Sequence, residues 1–437
     1  MPRHATVSNT SRTLRALIPL GSAALLSVSV WPAWGQSTAV PAVTAVSNAA
    51  TQAIEALTLQ SAIAMAMASN AELSVAQREL EATEGPVLQG GARPNPELSV
   101  LLEDAQRATR TTTLQINQPI ELGGKRAARI NAAERGRDIA AAELAAKRAD
   151  LRATVVSAFY DVLLAQEHVK LAGDSTELAR RAADAAGKRV QAGKISPVEE
   201  TKARVAEATA RLEAAQATSE LRLSRQRLAA TWGDASPRFD RVESDSAAAP
   251  VPTFDAVSAR LATSPSLRRA QIEVRRRRAL SDLERAKRTP DLTVSLGVKR
   301  DEQLGRHQAV IGLSIPLPLF DYNQGNLLEA LRREDKSRDE LAAADIQLKS
   351  AVAQAWDRLD TADAKARTLR DEVLPGAQSA YDAATKGFEL GKFNFLDVLD
   401  AQRTLFQAKA QSLRARGEAH RAAADIDRLL GDVDTTR

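Results

Sequence analysis

The chain has 437 residues, no cysteine, 3% aromatic residues, and 60 Lys and Arg against 55 Asp and Glu. The lack of cysteine excludes disulfides, thiolate metal centres and a lipid-acceptor cysteine at a mature terminus. Three of the arginines fall in the first 15 residues, so the rest of the chain is close to neutral and nothing in it calls for nucleic acid.

Arg3, Arg12 and Arg15 precede the apolar run Ala16 to Val30, and Ala33-Trp34-Gly35 then sets small residues at both positions read by signal peptidase. The pattern predicts a signal peptide over residues 1–35, cleaved before Gln36, because its apolar run is shorter than the ~20 residues a spanning helix needs. An N-terminal extension follows at 36–56. No later stretch reaches 18 consecutive apolar residues, so no membrane helix is expected. Export without membrane helices leaves a periplasmic protein, a secreted one, or an outer-membrane β-barrel.

Residues 57–232 repeat as 254–430 at an offset of about 197, separated by a Ser-, Ala-, Asp- and Pro-rich linker at 233–253 and followed by a tail at 431–437. "PELSV" at Pro96 lies over "PDLTV" at Pro290. "AGKISPVEETKAR" at Ala192 lies over "LGKFNFLDVLDAQ" at Leu390, here at an offset of 198.

In each copy two β-type runs come first: Glu97–Glu103 and Thr111–Leu122, then Asp291–Arg300 and Gln308–Phe320. Leu292, Val294, Leu296 and Val298 alternate with Thr293, Ser295 and Gly297, as a membrane strand of about 10 residues requires. A four-stranded sheet packed on a core is the alternative. In a bilayer an open sheet is forbidden, so the chain would have to assemble. Two copies give eight strands and a barrel filled by side chains, whereas three give twelve and an open lumen.

The long helical signals follow. Leu144, Leu151, Val155, Ala158, Val162, Ala165, Val169 and Ala172 form a heptad seam, and Leu341 through Leu369 repeat its steps. No proline interrupts Lys125 to Ile195, which predicts a helix on the order of 100 Å long. Its counterpart contains Pro375, which predicts a kink or break there. A second helix of roughly 50 Å follows each Gly-Lys turn, ending near Trp232 and Leu430. Alanine-rich seams and polar outer faces suit a cylinder of helices better than a globule.

This layout resembles the TolC-type outer-membrane efflux channel family over residues 57–430. "QPIELGGKRAAR" (Gln118–Arg129) and "IPLPLFDYNQGN" (Ile315–Asn326) resemble its CzcC-like heavy-metal branch. The resemblance implies a mainly α fold with a small membrane β part. Long antiparallel helical hairpins would form a trimeric α-barrel, with four strands per protomer in a 12-stranded β-barrel. It implies a homotrimer in the outer membrane, contacting outer-membrane lipid, a periplasmic adaptor and an inner-membrane resistance-nodulation-division (RND) transporter, and no nucleic acid. The implied cargo is heavy-metal cations such as cobalt, zinc or cadmium. Drug efflux or type I protein secretion are alternatives within the family, and a soluble periplasmic coiled-coil scaffold is the rival from another class.

The resemblance makes the two Gly-Lys turns the periplasmic tips. Gly193, Lys194, Gly391, Lys392 and Phe393 then contact the adaptor, and Asp397, Asp400 and Glu199 are gate acids. Three copies would give two stacked rings of aspartates, a cation-attracting constriction. Spacing alone reads Asp397 as a first-turn acid favoured by the helix dipole. In the family a tip arginine pairs with the first-copy acid. That position is Phe393 here, which leaves Lys392 as the candidate gate lock against Glu199.

Other features are read as structural. "RRRR" at Arg275–Arg278 has Glu273, Asp282 and Glu284 nearby and reads as a solvated helix face. His168, His307 and His420 are scattered, and Met65 and Met67 form no ladder, so neither a metal site nor a cofactor is expected. No nucleophile–base pair or phosphate loop is present, so the chain reads as a non-enzyme.

Overall fold

The computed structural model describes residues 54–104, 106–243 and 251–431; the signal peptide read at 1–35 and residues 432–437 of the tail lie outside the described residues. In the first half β1 (Ile54–Thr58) leads into α1 (Leu59–Ser69), α2 (Ala71–Ala82) and α3 (Glu84–Gly91). Then come β2 (Glu97–Glu103), β3 (Thr111–Ile120), α4 (Lys125–Gln191), α5 (Pro197–Ala230) and β4 (Phe239–Glu243). The second half holds α6 (Phe254–Ser258), a 3₁₀ turn (Leu261–Thr263), α7 (Pro265–Ala286), β5 (Leu292–Asp301) and β6 (Arg306–Ser314). It ends with α8 (Gln324–Thr368), a π-helical turn (Leu369–Val373), α9 (Leu374–Glu389) and α10 (Phe395–Leu430). No helix among the described residues is long and apolar enough to cross a membrane.

β2, β3, β5 and β6 form one antiparallel sheet in that order, so the two copies meet at the β3–β5 ladder. The register sorts the side chains into two faces. Leu98, Val100, Leu114, Ile116, Val294, Leu296, Val298, Ile311 and Leu313 share one face, most of them more than half exposed. Ser99, Thr113, Gln115, Asn117, Ser295, Lys299 and Gln308 share the other. On that polar face Asn117 donates to Ser99 and Ser295 donates to Asn117, a chain across three strands, and Lys299 reaches Glu103.

Two strands are shorter than their apolar patterns. The run read to Leu122 ends at Ile120, and the run read to Phe320 ends at Ser314. Pro316 and Pro318 carry no N–H for a ladder, so alternation continues there without pairing. The described parts of the stretches read as extension and linker hold structure, since β1 and β4 pair in parallel, while residues 36–53 and 244–250 of them lie outside the described residues. Gln166 on α4 completes that edge, donating to the Val242 carbonyl and accepting from its N–H at 2.8 Å. Beneath it Leu57, Phe239 and Val242 join Val155, Phe159, Val162, Leu228 and Trp232 in a buried core. The second copy has its own core of Val257, Leu348, Val352, Leu359, Ile426 and Leu430, in which Val352 and Leu359 occupy the positions of Val155 and Val162.

α4 runs unbroken for 67 residues, about 100 Å. It packs along α5, α7 and α10, while α8 packs on α7 and α10 and α9 on α10. Ala165, Ala172, Ala179 and Ala186 are all buried, one per heptad. In the second copy Leu348, Ala355, Ala362 and Leu369 keep this step of seven, Ala377 follows after eight, and Ala384 after seven again. The extra residue sits in the π turn, where the Leu374 N–H reaches back five residues to the Leu369 carbonyl. This is why the repeat offset grows from 197 to 198 between the seam and the tips. The break expected from Pro375 is thus a bulge that widens the helix just before the proline and keeps both halves of the seam facing inward.

Candidate functional site: the paired helix-hairpin tips

Each hairpin closes through the same chemistry. Gly193 and Gly391 follow the ends of α4 and α9 with φ of +66° and +70°, a backbone region that costs an L-residue roughly 1–2 kcal/mol. At the first tip Gly193 N–H donates to the Val190 carbonyl and Lys194 N–H to that of Arg189, both at 2.9 Å; at the second, Gly391 donates to Phe388 and Lys392 to Gly387, at 3.1 and 2.8 Å. These paired bonds satisfy carbonyls left open at a helix end. The repeated Gly-Lys is therefore a helix stop used twice. A Cβ on Gly391 would meet nothing within 4 Å. Gly391→Ala is expected to cost about 1 kcal/mol through backbone strain alone, seen as faster amide exchange at Lys392 with unchanged exchange in the α8 core.

The helices then restart on caps. Ser196 accepts from Val198 N–H, with Pro197 in the first turn of α5. Asn394 accepts from Asp397 N–H at 3.0 Å, and the Asp397 carboxylate accepts from Asn394 N–H at 3.0 Å. Asp397 is thus committed to a capping box, the first-turn role that its spacing alone suggested. Asp400, one turn on, is exposed and lines a cleft of about 1040 Å³ between α4, α5 and α10; Lys202, its counterpart in the first copy, lines the same cleft. Glu199 is half-buried in the first turn of α5, Lys194 and Lys392 are exposed, and among the described residues no ion pair joins Glu199 to Lys392. Glu200, next to Glu199, instead pairs with Arg204 at 2.7 Å and raises that guanidinium's pKa by hydrogen bonding and charge.

The tips are joined by aromatic contacts. The Arg189 guanidinium lies 3.8 Å from the centre of the Phe388 ring. Phe388 and Leu399 pack with Ile195 on a patch of Ala183, Ala186 and Ala203. Phe393 lies across Gly387, where a Cβ would overlap its ring. The sequence reading gives Phe393 as an adaptor-contacting tip residue and a lost salt-bridge position, and misses its packing on Gly387 as well as Arg189 and Phe388. The Asn394–Asp397 box was legible as a polar residue three before an acid, but no local signal links Arg189 with a ring 199 positions away.

The family model described as outer membrane efflux protein matches residues 62–234 and 256–432. The chain belongs to the outer membrane efflux protein family. Among curated relatives of this efflux family, the cobalt-zinc-cadmium resistance protein CzcC of Cupriavidus metallidurans is 53% identical over 376 residues, covering 86% of this chain and 90% of the relative. The nickel and cobalt resistance protein CnrC of the same organism is 30% identical over 322 residues, covering 70% and 73%. A membrane protein from Pseudomonas aeruginosa superposes with a TM-score of 0.75 at 20% identity, covering 87% and 91%. The channel-forming protein CusC does so with a TM-score of 0.72 at 18% identity, covering 86% and 92%. The fold of this efflux protein is therefore that of outer-membrane channels.

Proposed function

We propose that this chain is the outer-membrane exit duct of a tripartite efflux pump that exports cobalt, zinc and cadmium ions, working as a homotrimer with a periplasmic adaptor and an inner-membrane RND transporter. The two-faced sheet carries this reading. Its apolar face is dressed for lipid, its polar face for water, and the outer edges of β2 and β6 have no strand partner among the described residues. Exposed strand edges in hydrocarbon cost several kcal/mol per unsatisfied group, which three copies closing a ring of twelve strands would remove. The metal cargo rests on the relative named for cobalt, zinc and cadmium resistance.

The duct does no chemistry of its own; the inner-membrane partner drives transport. The tips form the gate and the adaptor-docking end. Asp400 is the acid whose carboxylate remains available to the passage, while Asp397 holds the helix that presents it. In three copies the Asp400 ring favours cations over anions. Single-channel recordings under a salt gradient test this: Asp400→Asn shifts the reversal potential toward zero selectivity, and an unchanged potential refutes the ring. The cargo is tested by deletion. Loss of cobalt, zinc and cadmium resistance, restored by the parent chain, is expected; retained metal resistance with lost drug resistance overturns it.

A further inference from the structure

β6 ends at Ser314, but its apolar face does not. Ile311 and Leu313 stand on the apolar side of the sheet, and Ile315, Leu317 and Leu319 keep the same parity for three more positions, with Pro316 and Pro318 between them. Leu317 and Leu319 are 73% exposed and Phe320 90%. A contiguous run of large exposed apolar side chains marks a contact surface. The first copy keeps a shorter and less exposed version: Ile120 and Leu122 stand for Leu317 and Leu319 at 42% and 37% exposure, but Gln118 stands for Ile315, Glu121 for Pro318 and Gly123 for Phe320, and Gly123 is tucked so closely on Thr289 that a Cβ would come within 2.5 Å of it. The strand-to-helix turn therefore does not itself demand the isoleucine, the phenylalanine or the high exposure of the second copy's run.

Cations stand beside this run. Arg288, just past the end of α7, lies 5.4 Å from the centre of the Tyr322 ring, and Arg126 is exposed in the first turn of α4. Neither forms an ion pair among the described residues, whereas neighbouring Lys125 and Arg129 are committed to Asp291 and Glu121. Both arginines flank the helix-side end of the sheet, opposite the loops at 104–110 and 302–305. Arg126 donates Nε to the Gly91 carbonyl at 2.7 Å, which leaves its terminal nitrogens for an anion. Leucine and aromatic side chains next to cations without an ion-pair partner among the described residues, at the level where apolar strands give way to polar helices, suit the boundary between acyl chains and anionic headgroups.

We propose that residues 315–322 are an interfacial anchor that inserts into the phospholipid leaflet at the helical end of the barrel, with Arg126 and Arg288 taking anionic headgroups. The inference rests on the barrel reading above. Lipid is the occupant, rather than a second copy, for two reasons. The run continues the sheet's apolar face, and its two prolines cannot supply the backbone N–H groups that would extend strand pairing to a neighbour. In a chain with no cysteine to carry an acyl group, side chains do the anchoring.

The same lack of cysteine makes the test direct, because one introduced cysteine carries one nitroxide. The full chain is reconstituted in vesicles containing phosphatidylglycerol, labelled at Phe320→Cys, Leu313→Cys or Ile346→Cys, the last an exposed site farther along α8. Relaxation by oxygen is compared with relaxation by a water-soluble nickel chelate. The Phe320 label is expected to favour oxygen at shallow depth, the Leu313 label to favour it more strongly, and the Ile346 label to favour nickel. A Phe320 label as open to nickel as Ile346, or shielded from both reagents by a neighbouring copy, overturns the anchor while an oxygen-rich Leu313 keeps the barrel. A nickel-accessible Leu313 label overturns the barrel reading and the anchor with it. Replacing phosphatidylglycerol by phosphatidylcholine should raise nickel access at Phe320 severalfold, and no longer do so with Arg126→Gln and Arg288→Gln; equal access in both lipids refutes the headgroup contacts.

Discussion

Leu296→Arg is expected to abolish assembly of the channel in the outer membrane, whereas Gln115→Arg leaves it nearly intact. Leu296 lies mid-strand on β5, 57% exposed on the apolar face and in register with Ile116 and Ile311. An arginine on a lipid-facing strand costs about 2–4 kcal/mol at the bilayer midplane. Three copies in one barrel multiply that penalty to about 6–12 kcal/mol per assembly, comparable with the whole stability of an ordinary domain. Gln115 sits on β3 on the opposite face, in register with Ser99 and Gly297. A guanidinium there reaches the polar side, where Asn117, Ser99 and Ser295 are already hydrogen-bonded. Heat-modifiable migration of the outer-membrane fraction reads the difference. Equal assembly of both variants would mean that the two faces do not see different solvents, and the barrel reading would fall.

The sheet was the most legible part of the molecule because its signal is local. Period-two alternation through Leu292, Val294, Leu296 and Val298 fixes the faces before any partner is known. Alternation does not say where pairing stops, so Ile315, Leu317 and Leu319 looked like strand although the prolines between them end the ladder. The heptad seam was legible for the same reason, and its positions are buried or half-buried in both long helices. The β1–β4 pair was not, since five-residue strands paired at a separation of 185 positions carry no periodicity of their own, and a composition rich in Ser, Ala, Asp and Pro masked Phe239 and Val242. At the tips, the turns and the cap could be found from Gly-Lys and from Asn394 with Asp397. Their coupling could not: Arg189 on Phe388 and Phe393 on Gly387 are products of how the two hairpins come together. The single-residue growth of the repeat offset was present in the sequence, but only the eight-residue step between buried Leu369 and Ala377 locates it.

That extra residue leads to a second large effect. Deleting Arg370 removes one residue from the π turn and returns the helix to an unbroken α register. The seam would keep its direction, because the bulge already absorbs the insertion locally. Pro375 would then sit in the interior of a regular helix, its ring against the carbonyl of Asp371 four residues earlier, which costs about 3 kcal/mol. The deletion alone is therefore expected to destabilise the α9–α10 hairpin by about that amount, and deletion combined with Pro375→Ala to recover most of it. Deleting Ala380 instead, below the bulge, leaves the proline relieved but turns Ala384 and the Gly391 tip by about 100° relative to α10, so no substitution at Pro375 restores it. Thermal loss of helical circular dichroism in detergent, compared across the parent and the two deletions, each with and without Pro375→Ala, separates the two causes. If the Arg370 deletion is silent while Pro375 is present, the bulge exists for some reason other than accommodating the proline. If the double variant is as unstable as the single deletion, the inserted residue itself sets the packing of the lower helix.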